Sequence, residues 1–264
     1  MRHPWLHRSA LLLAVLTFIV IVLGASFTSE MRLPGAAPPF PVVSAPGLEQ
    51  AHRIGGYAVA VCTVGFALWY SAPLGWGALV IVILQSFLGG IPVLHALLSP
   101  IFLSVVVGIA LLTSKDWQAE PKPVESQWDR LGTLGIAIPI LVVLQITLGA
   151  AFRHNAMGVL WHILNAMIVL LVILSAGIFI LRQYPEHPSL RPAALALVVI
   201  TGVQALFGFA VYIVLLVSSN NNIGLIVIGV LHLANGSLTL AASVVLAMQL
   251  RRNISVSDRS VTST

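Results

Sequence analysis

The chain has 264 residues, of which 58% are hydrophobic and only 8% are charged, and its mean hydropathy is +1.01. Soluble domains contain about 25% charged residues, so this composition excludes a water-soluble enzyme and a disordered or fibrous chain. The net charge of +5 is explained by basic residues in the cytoplasmic loops of a membrane protein, and no nucleic-acid partner is expected. The single cysteine, Cys62, excludes an intrachain disulfide and a cysteine-based metal site.

Eight apolar segments are long enough to cross a bilayer as helices, which takes about 20 residues each. In chain order they cover residues 9–27, 51–70, 74–91, 92–113, 131–152, 157–181, 192–217 and 223–250. None alternates between apolar and polar residues as a barrel strand would. The first segment follows Arg2 and Arg8 like a signal peptide, but its apolar run is longer than a signal core, and we expect it to be retained. The sequence therefore predicts an all-α integral membrane protein with eight transmembrane helices.

The distribution of basic residues predicts the orientation. With eight spans both termini lie on one side, and only Arg32, Arg53 and Arg153 of the 13 Lys and Arg residues lie on the other side. By the positive-inside rule both termini are cytoplasmic in a bacterial-type cell membrane. The longest cytoplasmic connection, residues 115–130, separates a predicted N-terminal four-helix bundle (1–114) from a C-terminal one (131–252). The Ser/Thr-rich tail, residues 253–264, is predicted to be disordered.

A sequence motif recurs where the odd-numbered spans end. It has the form Gln-x-x-Leu/Phe-Gly and occurs as Gln85–Gly89, Gln145–Gly149 and Gln204–Gly208, whereas span 1 has Leu23-Gly24 without the glutamine. Each even-numbered span then begins with a histidine near its outer end. This pattern predicts a helix hairpin repeated four times, or a four-helix bundle repeated twice.

The histidines of the even spans are the main candidates for chemistry, because ionisable residues inside a membrane are costly. They are His52, His95, His162 and His232. A single one would most simply be hydrogen-bonded to a neighbouring helix. Four at similar depth favour two pairs, His52 with His95 and His162 with His232, each able to bind the iron of one porphyrin. The second ring nitrogen would then bond an acceptor that orients the imidazole.

The residue four positions after each histidine is small: Gly56, Ser99, Ala166 and Gly236. Positions i and i+4 share a helix face, so these residues could leave room for a flat macrocycle beside its ligand. Small residues also line ordinary helix contacts in membranes, and that alternative stays open. Asn165 and Asn235, each three residues after a histidine, make the second pair of histidines resemble each other.

Three charged residues near the outer membrane surface are further candidates. Glu49 precedes His52 by three residues and shares its helix face. Its carboxylate could act as a general base or stabilise positive charge beside a bound ring, or it could only interact with the helix dipole. Arg53 and Arg153 could pair with the propionates of a porphyrin, or could be interfacial cations extended toward the headgroups.

Together these residues resemble the heme A synthase family. The resemblance rests on Glu49-x-x-His52-Arg53, on a histidine in every even span and on the Gln-x-x-Leu-Gly exits, and it extends over about residues 5–250. The segments Trp161-His162-x-x-Asn165 and His232-Leu-Ala-Asn235 are especially similar. Many bacterial members have a cysteine pair in the first outward loop, which this chain lacks, so no thiol relay is expected.

The resemblance implies two pseudosymmetric four-helix bundles and a defined reaction, the oxidation of the C8 methyl group of heme O to the formyl group of heme A for cytochrome oxidase assembly. It implies a low-spin heme b bound by His162 and His232, and a heme O site at His52 and His95 with Glu49 implicated in the chemistry. The expected partners are the heme O substrate, the lipid bilayer, the heme O-producing enzyme, an electron acceptor and a second copy of the chain.

Two other classes of protein remain open. A bis-histidine b-type cytochrome that only carries electrons would use the same four histidines but would not need Glu49 beside His52. A transporter with repeated bundles would have helices broken near the membrane midplane. Pro92 and Pro139 are the prolines expected to lie at or inside a span, and they do not occupy equivalent positions.

Overall fold

The computed structural model describes residues 4–30, 45–126, 131–217 and 223–255. A 3-10 turn, Leu88–Gly90, follows directly after the helix Pro73–Phe87. Eight helices in the described ranges are long and apolar enough to cross a membrane, so the all-α membrane architecture is confirmed. The helices are α1 (Pro4–Glu30), α2 (Ala45–Tyr70), α3 (Pro73–Phe87), α4 (Pro92–Leu112), the short α5 (Lys115–Gln118), α6 (Leu131–Arg153), α7 (Val159–Gln183), α8 (Leu190–Val217) and α9 (Ile223–Asn253).

Prolines lie at the start of α3 and α4 and in the interior of α4 and α6. Pro73 and Pro92 lie in the first turns of α3 and α4, where proline's missing N–H has no helical partner to lose. Pro139 lies inside α6, and Pro100, which the sequence analysis overlooked, lies inside α4. Both helices continue through their proline. The broken spans expected of a transporter are therefore not found among the described helices.

The helices pack as two rings of four. In the first ring each of α1 to α4 contacts its chain neighbours and α1 closes the ring on α4, and α6 to α9 repeat this arrangement. Each ring encloses its own apolar core, one around Leu103 and Ile109 and the other around Ile138, Ile173 and Leu197. The rings meet through α1 and α4 on one side and α6 and α9 on the other. Consequently α2 and α4 lie opposite each other across the first ring, as α7 and α9 do across the second.

Large apolar side chains cover the outside of the rings. Phe87 is 81% exposed and Val217 is 76% exposed, and similar residues are distributed over all eight long helices. Exposed apolar surface of this extent would be unstable in water. In a bilayer it contacts lipid, while backbone groups are satisfied within each helix.

The connection between the two bundles is fixed to the end of α9. We call residues 115–126 the inter-bundle strap. Its strand β1 (Val124–Glu125) pairs in parallel with β2 (Ile254–Ser255). Arg252 donates hydrogen bonds to the strap carbonyls of Asp116 and Ala119 and lies over the Trp117 ring. Asn253–Ser255 thus have defined structure, in contrast to the predicted disorder of 253–264, and the rest of that tail lies outside the described residues.

A buried histidine joins the same strap to the loop between α7 and α8. The Nε2 atom of His187 donates to the carbonyl oxygen of Lys122 at 2.9 Å. Its Nδ1 atom accepts from the backbone N–H groups of Ser189 and Leu190 at 3.2 and 3.1 Å. His187 therefore satisfies free N–H groups at the start of α8, as an N-cap side chain does. The sequence analysis assigned this histidine no role.

Candidate functional site

The structure brings the four intramembrane histidines together as two pairs. His52 on α2 and His95 on α4 have ring centres 6.1 Å apart, with an angle of 70° between the ring planes. His162 on α7 and His232 on α9 are also 6.1 Å apart, at 81°. In each ring the two helices lie opposite each other, so the imidazoles meet inside the bundle. All four side chains are partly exposed rather than buried in the apolar cores.

The Nδ1 atoms of three histidines are bound by the preceding helix. His52 Nδ1 lies 3.0 Å from the carbonyl oxygen of Val20, His95 Nδ1 lies 3.1 Å from that of Gln85, and His162 Nδ1 lies 3.2 Å from that of Gln145. For His52 and His95 the carbonyl oxygen can only accept, so this bond requires the proton on Nδ1 and leaves the Nε2 lone pair for a metal. At His162 the amide nitrogen of Gln145 also lies 3.0 Å from Nδ1 and 3.3 Å from Nε2. The Nδ1 atom of His232 is buried without a hydrogen-bond partner among the described residues.

The exit glycines explain how the rings reach these carbonyls. A Cβ atom on Gly24 would lie 2.7 Å from Cε1 of His52, and one on Gly149 would lie 2.8 Å from Cε1 of His162. The same atom on Gly208 would lie 3.0 Å from His232, whereas one on Gly89 would meet nothing within 4 Å. Three of the four recurrent glycines thus provide the space in which an imidazole of the next helix lies.

The recurrent glutamines bind the helix that carries each histidine. In the C-terminal bundle Gln145 donates to the backbone carbonyl of His162 at 3.0 Å, and its Oε1 accepts from Asn165 at 2.8 Å. Gln204 likewise accepts from Asn235 at 3.0 Å. These bonds form a continuous network of Asn, Gln and His that ends on the imidazole. Asn165 and Asn235 therefore orient the glutamines, a role that their spacing alone did not predict.

The small residue after each histidine accommodates the glutamine in at least two hairpins. Gln85 donates to the hydroxyl of Ser99 at 2.6 Å, and a Cβ atom on Gly236 would lie 3.2 Å from Nε2 of Gln204. Room for a macrocycle is thus not needed to explain Ser99 or Gly236. Only at Gly56, whose hairpin has Val20 instead of glutamine, would an added Cβ meet nothing within 4 Å.

The distance between the ring centres of each pair can be compared with that of two imidazoles bound to one metal ion. A coordinating imidazole nitrogen lies about 2.0 Å from a first-row metal, and the centre of the imidazole ring lies about 1.1 Å beyond that nitrogen. Two imidazoles that bound one metal from opposite sides would therefore have ring centres about 6.2 Å apart. The observed 6.1 Å in both pairs agrees with this value. Among the described residues no group of three or more His, Cys, Asp or Glu side chains could hold a metal ion. His52 with His95, and His162 with His232, would each hold an iron through two nitrogens, and a porphyrin would supply the remaining donors.

Glu49 lies next to Arg53 rather than bonded to His52. One carboxylate oxygen of Glu49 is 3.6 Å from a guanidinium nitrogen of Arg53, and the two side chains are 47% and 63% exposed. Within the described part of α2 no hydrogen bond joins Glu49 to His52. Glu49 therefore lies one turn from His52 on α2, but its carboxylate interacts with the cation of Arg53.

Arg153 connects the two bundles. Its guanidinium donates to the carbonyl oxygen of Ala25 at 3.0 Å and to the hydroxyls of Thr28 and Ser29 at 2.9 and 2.7 Å. These groups belong to the last turns of α1, where the helix dipole favours a cation. Of the two arginines predicted to bind propionates, Arg153 is engaged with protein groups and Arg53 is exposed.

No protein-family model matches the chain, and no curated protein matches it in sequence. The membership suggested by the motifs is therefore not shown, and the functional argument rests on the residues and their geometry.

The glutamines are the site residues whose role the sequence analysis missed. Their repetition was visible, but no chemistry was assigned to Gln85, Gln145 or Gln204. The signal that could have identified them is their position one helical turn before the exit glycine. Since i and i+4 share a face, a residue there points at the same neighbouring helix as the glycine against which the imidazole packs.

Proposed function

We propose that this chain is a heme A synthase-like membrane oxidoreductase, which oxidises the C8 methyl group of heme O to the formyl group of heme A. The observation that best supports the proposal is the pair of equivalent bis-imidazole arrangements, one in each bundle, with the spacing of axial heme ligands. One pair of histidines would bind a permanent heme, and the other pair would bind a porphyrin substrate. In the family that the sequence resembles, the corresponding sites are divided in this way.

In this proposal His162 and His232 bind heme b, which supplies reversible one-electron redox chemistry when bound. His52 and His95 bind heme O and orient its macrocycle. The overall change, R–CH3 + H2O → R–CHO + 4 H⁺ + 4 e⁻, requires an electron acceptor and a path for protons. Glu49 is the carboxylate nearest to His52 in sequence and is our candidate proton acceptor, while Arg53 and Arg153 are candidates for binding propionates.

A second candidate is a b-type cytochrome that transfers electrons without modifying its porphyrin. One observation favours it: Glu49 is paired with Arg53 and forms no hydrogen bond with His52 in the described structure. The carboxylate that distinguished the enzyme from an electron carrier in the sequence is therefore not shown beside the ligand.

Extraction of pigments separates the two candidates. The chain is produced in cells that make heme O but lack any other heme A source, and the extracted hemes are separated by chromatography. Heme A together with heme B supports the synthase, whereas heme B alone supports the electron carrier.

Histidine variants test the assignment of heme b independently of turnover. His162→Ala and His232→Ala should each remove the stably bound low-spin heme, which the optical spectrum of the purified protein reports. His52→Ala and His95→Ala should retain that spectrum and lose heme A. An unchanged bis-imidazole spectrum in either variant of the second pair would contradict the assignment.

A further inference from the structure

The first of the four hairpins departs from the repeat at one position. In three hairpins a glutamine lies four residues before the exit glycine, but before Gly24 this position is Val20. Val20 still supplies the backbone carbonyl that binds Nδ1 of His52, at 3.0 Å. It has no side-chain amide to bind α2. The first hairpin therefore keeps the backbone bond to the ring and lacks a side-chain bond to the helix that carries it.

The other three histidines lie on helix turns that a glutamine contacts. Gln85 donates to the carbonyl oxygen of His95 at 3.0 Å, and Gln145 does the same for His162 at 3.0 Å. Gln204 contacts the helix of His232 one turn later, where its Oε1 accepts from Asn235 at 3.0 Å. Among the described residues, the side chain of His52 has one hydrogen bond, that between its ring and the carbonyl oxygen of Val20. Within the N-terminal pair, the two imidazoles are thus held unequally.

We propose that Val20 is a positioning residue that makes His52 the releasable ligand of the N-terminal pair. This inference rests on the proposed function, because a substrate porphyrin must enter and leave its site while a permanent heme must not. The asymmetry matches that requirement. In the C-terminal pair, a glutamine of the preceding helix contacts the helix of each histidine. In the N-terminal pair, this contact is present for His95 and absent for His52.

The structure also offers space for the missing side chain. Gly56 lies four residues after His52, as Gly236 lies four residues after His232. Gly236 is in contact range of Gln204, while an added Cβ on Gly56 would meet nothing within 4 Å. The variant Val20→Gln restores the Gln-x-x-Leu-Gly sequence of the other hairpins without changing Gly24 or His52.

Carbon monoxide binding to the reduced, heme-loaded protein measures ligand release. A ferrous heme with two imidazoles binds carbon monoxide only after one imidazole leaves, so the rate of the spectral change reports that step. We expect a fast phase from the N-terminal pair and a slow phase from the C-terminal pair. Val20→Gln should slow the fast phase on the order of five- to tenfold, the effect of one additional net hydrogen bond.

Two further variants locate the effect. In a His52→Ala background, Val20→Gln should have no influence on the carbon monoxide rate, because the ligand that it restrains is absent. Gln145→Val, the reverse change in the C-terminal bundle, should accelerate the slow phase. If Val20→Gln folds and binds heme fully, an unchanged rate of the fast phase would overturn the proposal. If Val20→Gln does not fold, an unchanged rate of the slow phase in Gln145→Val would overturn it.

The outcome is separable from that of the proposed function. The carbon monoxide rates are measured with heme B in both sites and require no turnover. Heme A production with rates insensitive to Val20→Gln would refute the role of Val20 alone. Rates that respond as expected in a protein that makes no heme A would refute the synthase alone.

Discussion

Gly149 and His162 show how closely a single residue determines the site. The ring of His162 occupies the space in which any other residue at position 149 would place its Cβ atom. Glycine is usually unfavourable inside a helix, by about 1 kcal/mol relative to alanine. Here the loss is offset by the bond that the close approach allows between Nδ1 and the carbonyl of Gln145.

We therefore expect Gly149→Ala to displace the His162 imidazole, with an overpacking cost of about 1–3 kcal/mol. The optical and electron paramagnetic resonance spectra of the C-terminal heme should change, or the heme should be lost. Gly89→Ala is the matched control, because a Cβ atom there meets nothing within 4 Å. Equal spectra for the two variants would show that the glycine contact does not position the ligand.

Glu49 gives a second prediction at this scale. If its carboxylate accepts protons during methyl oxidation, Glu49→Ala should lower heme A formation at least tenfold, in line with the usual contribution of a general base. The spectrum of the C-terminal heme should remain unchanged. Since the ion pair with Arg53 is exposed, its loss should not affect folding. Undiminished heme A formation would leave Glu49 as a charge that only favours the helix dipole.

At the residue scale the sequence was sufficient to identify the four histidines but not their anchors. Ionisable residues in apolar spans are visible from composition alone. The partners that orient them are backbone carbonyls of Val20, Gln85 and Gln145, and a backbone acceptor has no residue-type signature. The small residues at 99 and 236 were visible, but their contact with glutamine depends on the position of the neighbouring helix.

The ends of the helices are held by polar contacts that the apolar spans alone do not reveal. His187 joins the start of α8 to the inter-bundle strap through both of its ring nitrogens, and it is buried. Tyr184 from the same loop donates to the carbonyl oxygen of Glu125 at 3.1 Å. These bonds fix where the strap lies.

We expect His187→Ala to destabilise the protein by about 1–2 kcal/mol, because a cap and a bond to the strap are lost together. Thermal unfolding in detergent should occur a few degrees lower than in the unmodified chain. Glu186→Ala changes the preceding, exposed residue and serves as the control. If the unfolding temperature fell equally in both variants, the loss of stability would come from changing the loop and not from losing the hydrogen bonds of His187.

Helix positions followed from hydropathy, and their exact ends did not. The predicted spans at 131–152 and 223–250 become Leu131–Arg153 and Ile223–Asn253, longer at the ends where polar residues continue the helix. Arg252 and Asn253 extend α9 because the strap supplies carbonyls and an N–H group as partners. Such partners come from residues more than a hundred positions away, so a local pattern cannot predict them.

The two bundles present an apolar surface to lipid. They contact each other along a seam, which is the interface made by α1 and α4 of one bundle and α6 and α9 of the other. The pairing of histidines across each ring followed from the repeat, because successive antiparallel helices place every second helix opposite its counterpart. The way in which the rings adjoin did not follow from it. Arg153, at the outer end of that seam, bonds to the last turns of α1.

Arg153→Gln should therefore weaken the association of the bundles, with a loss of about 1–3 kcal/mol in the free energy of unfolding. Arg53→Gln, which alters an exposed arginine, should leave unfolding unchanged. Denaturation monitored by circular dichroism measures both. A shift of the heme midpoint potential in Arg153→Gln without loss of stability would indicate instead that the guanidinium serves a propionate.

Each hairpin of this design supplies one imidazole, so every facing pair of imidazoles takes two hairpins. Identical copies related by a twofold axis must treat both axial positions alike. Covalent fusion of the hairpins into one polypeptide removes that restriction. The N-terminal pair uses this freedom, because Val20 lies before His52 at the position where Gln85 lies before His95, and the two facing imidazoles have unlike surroundings.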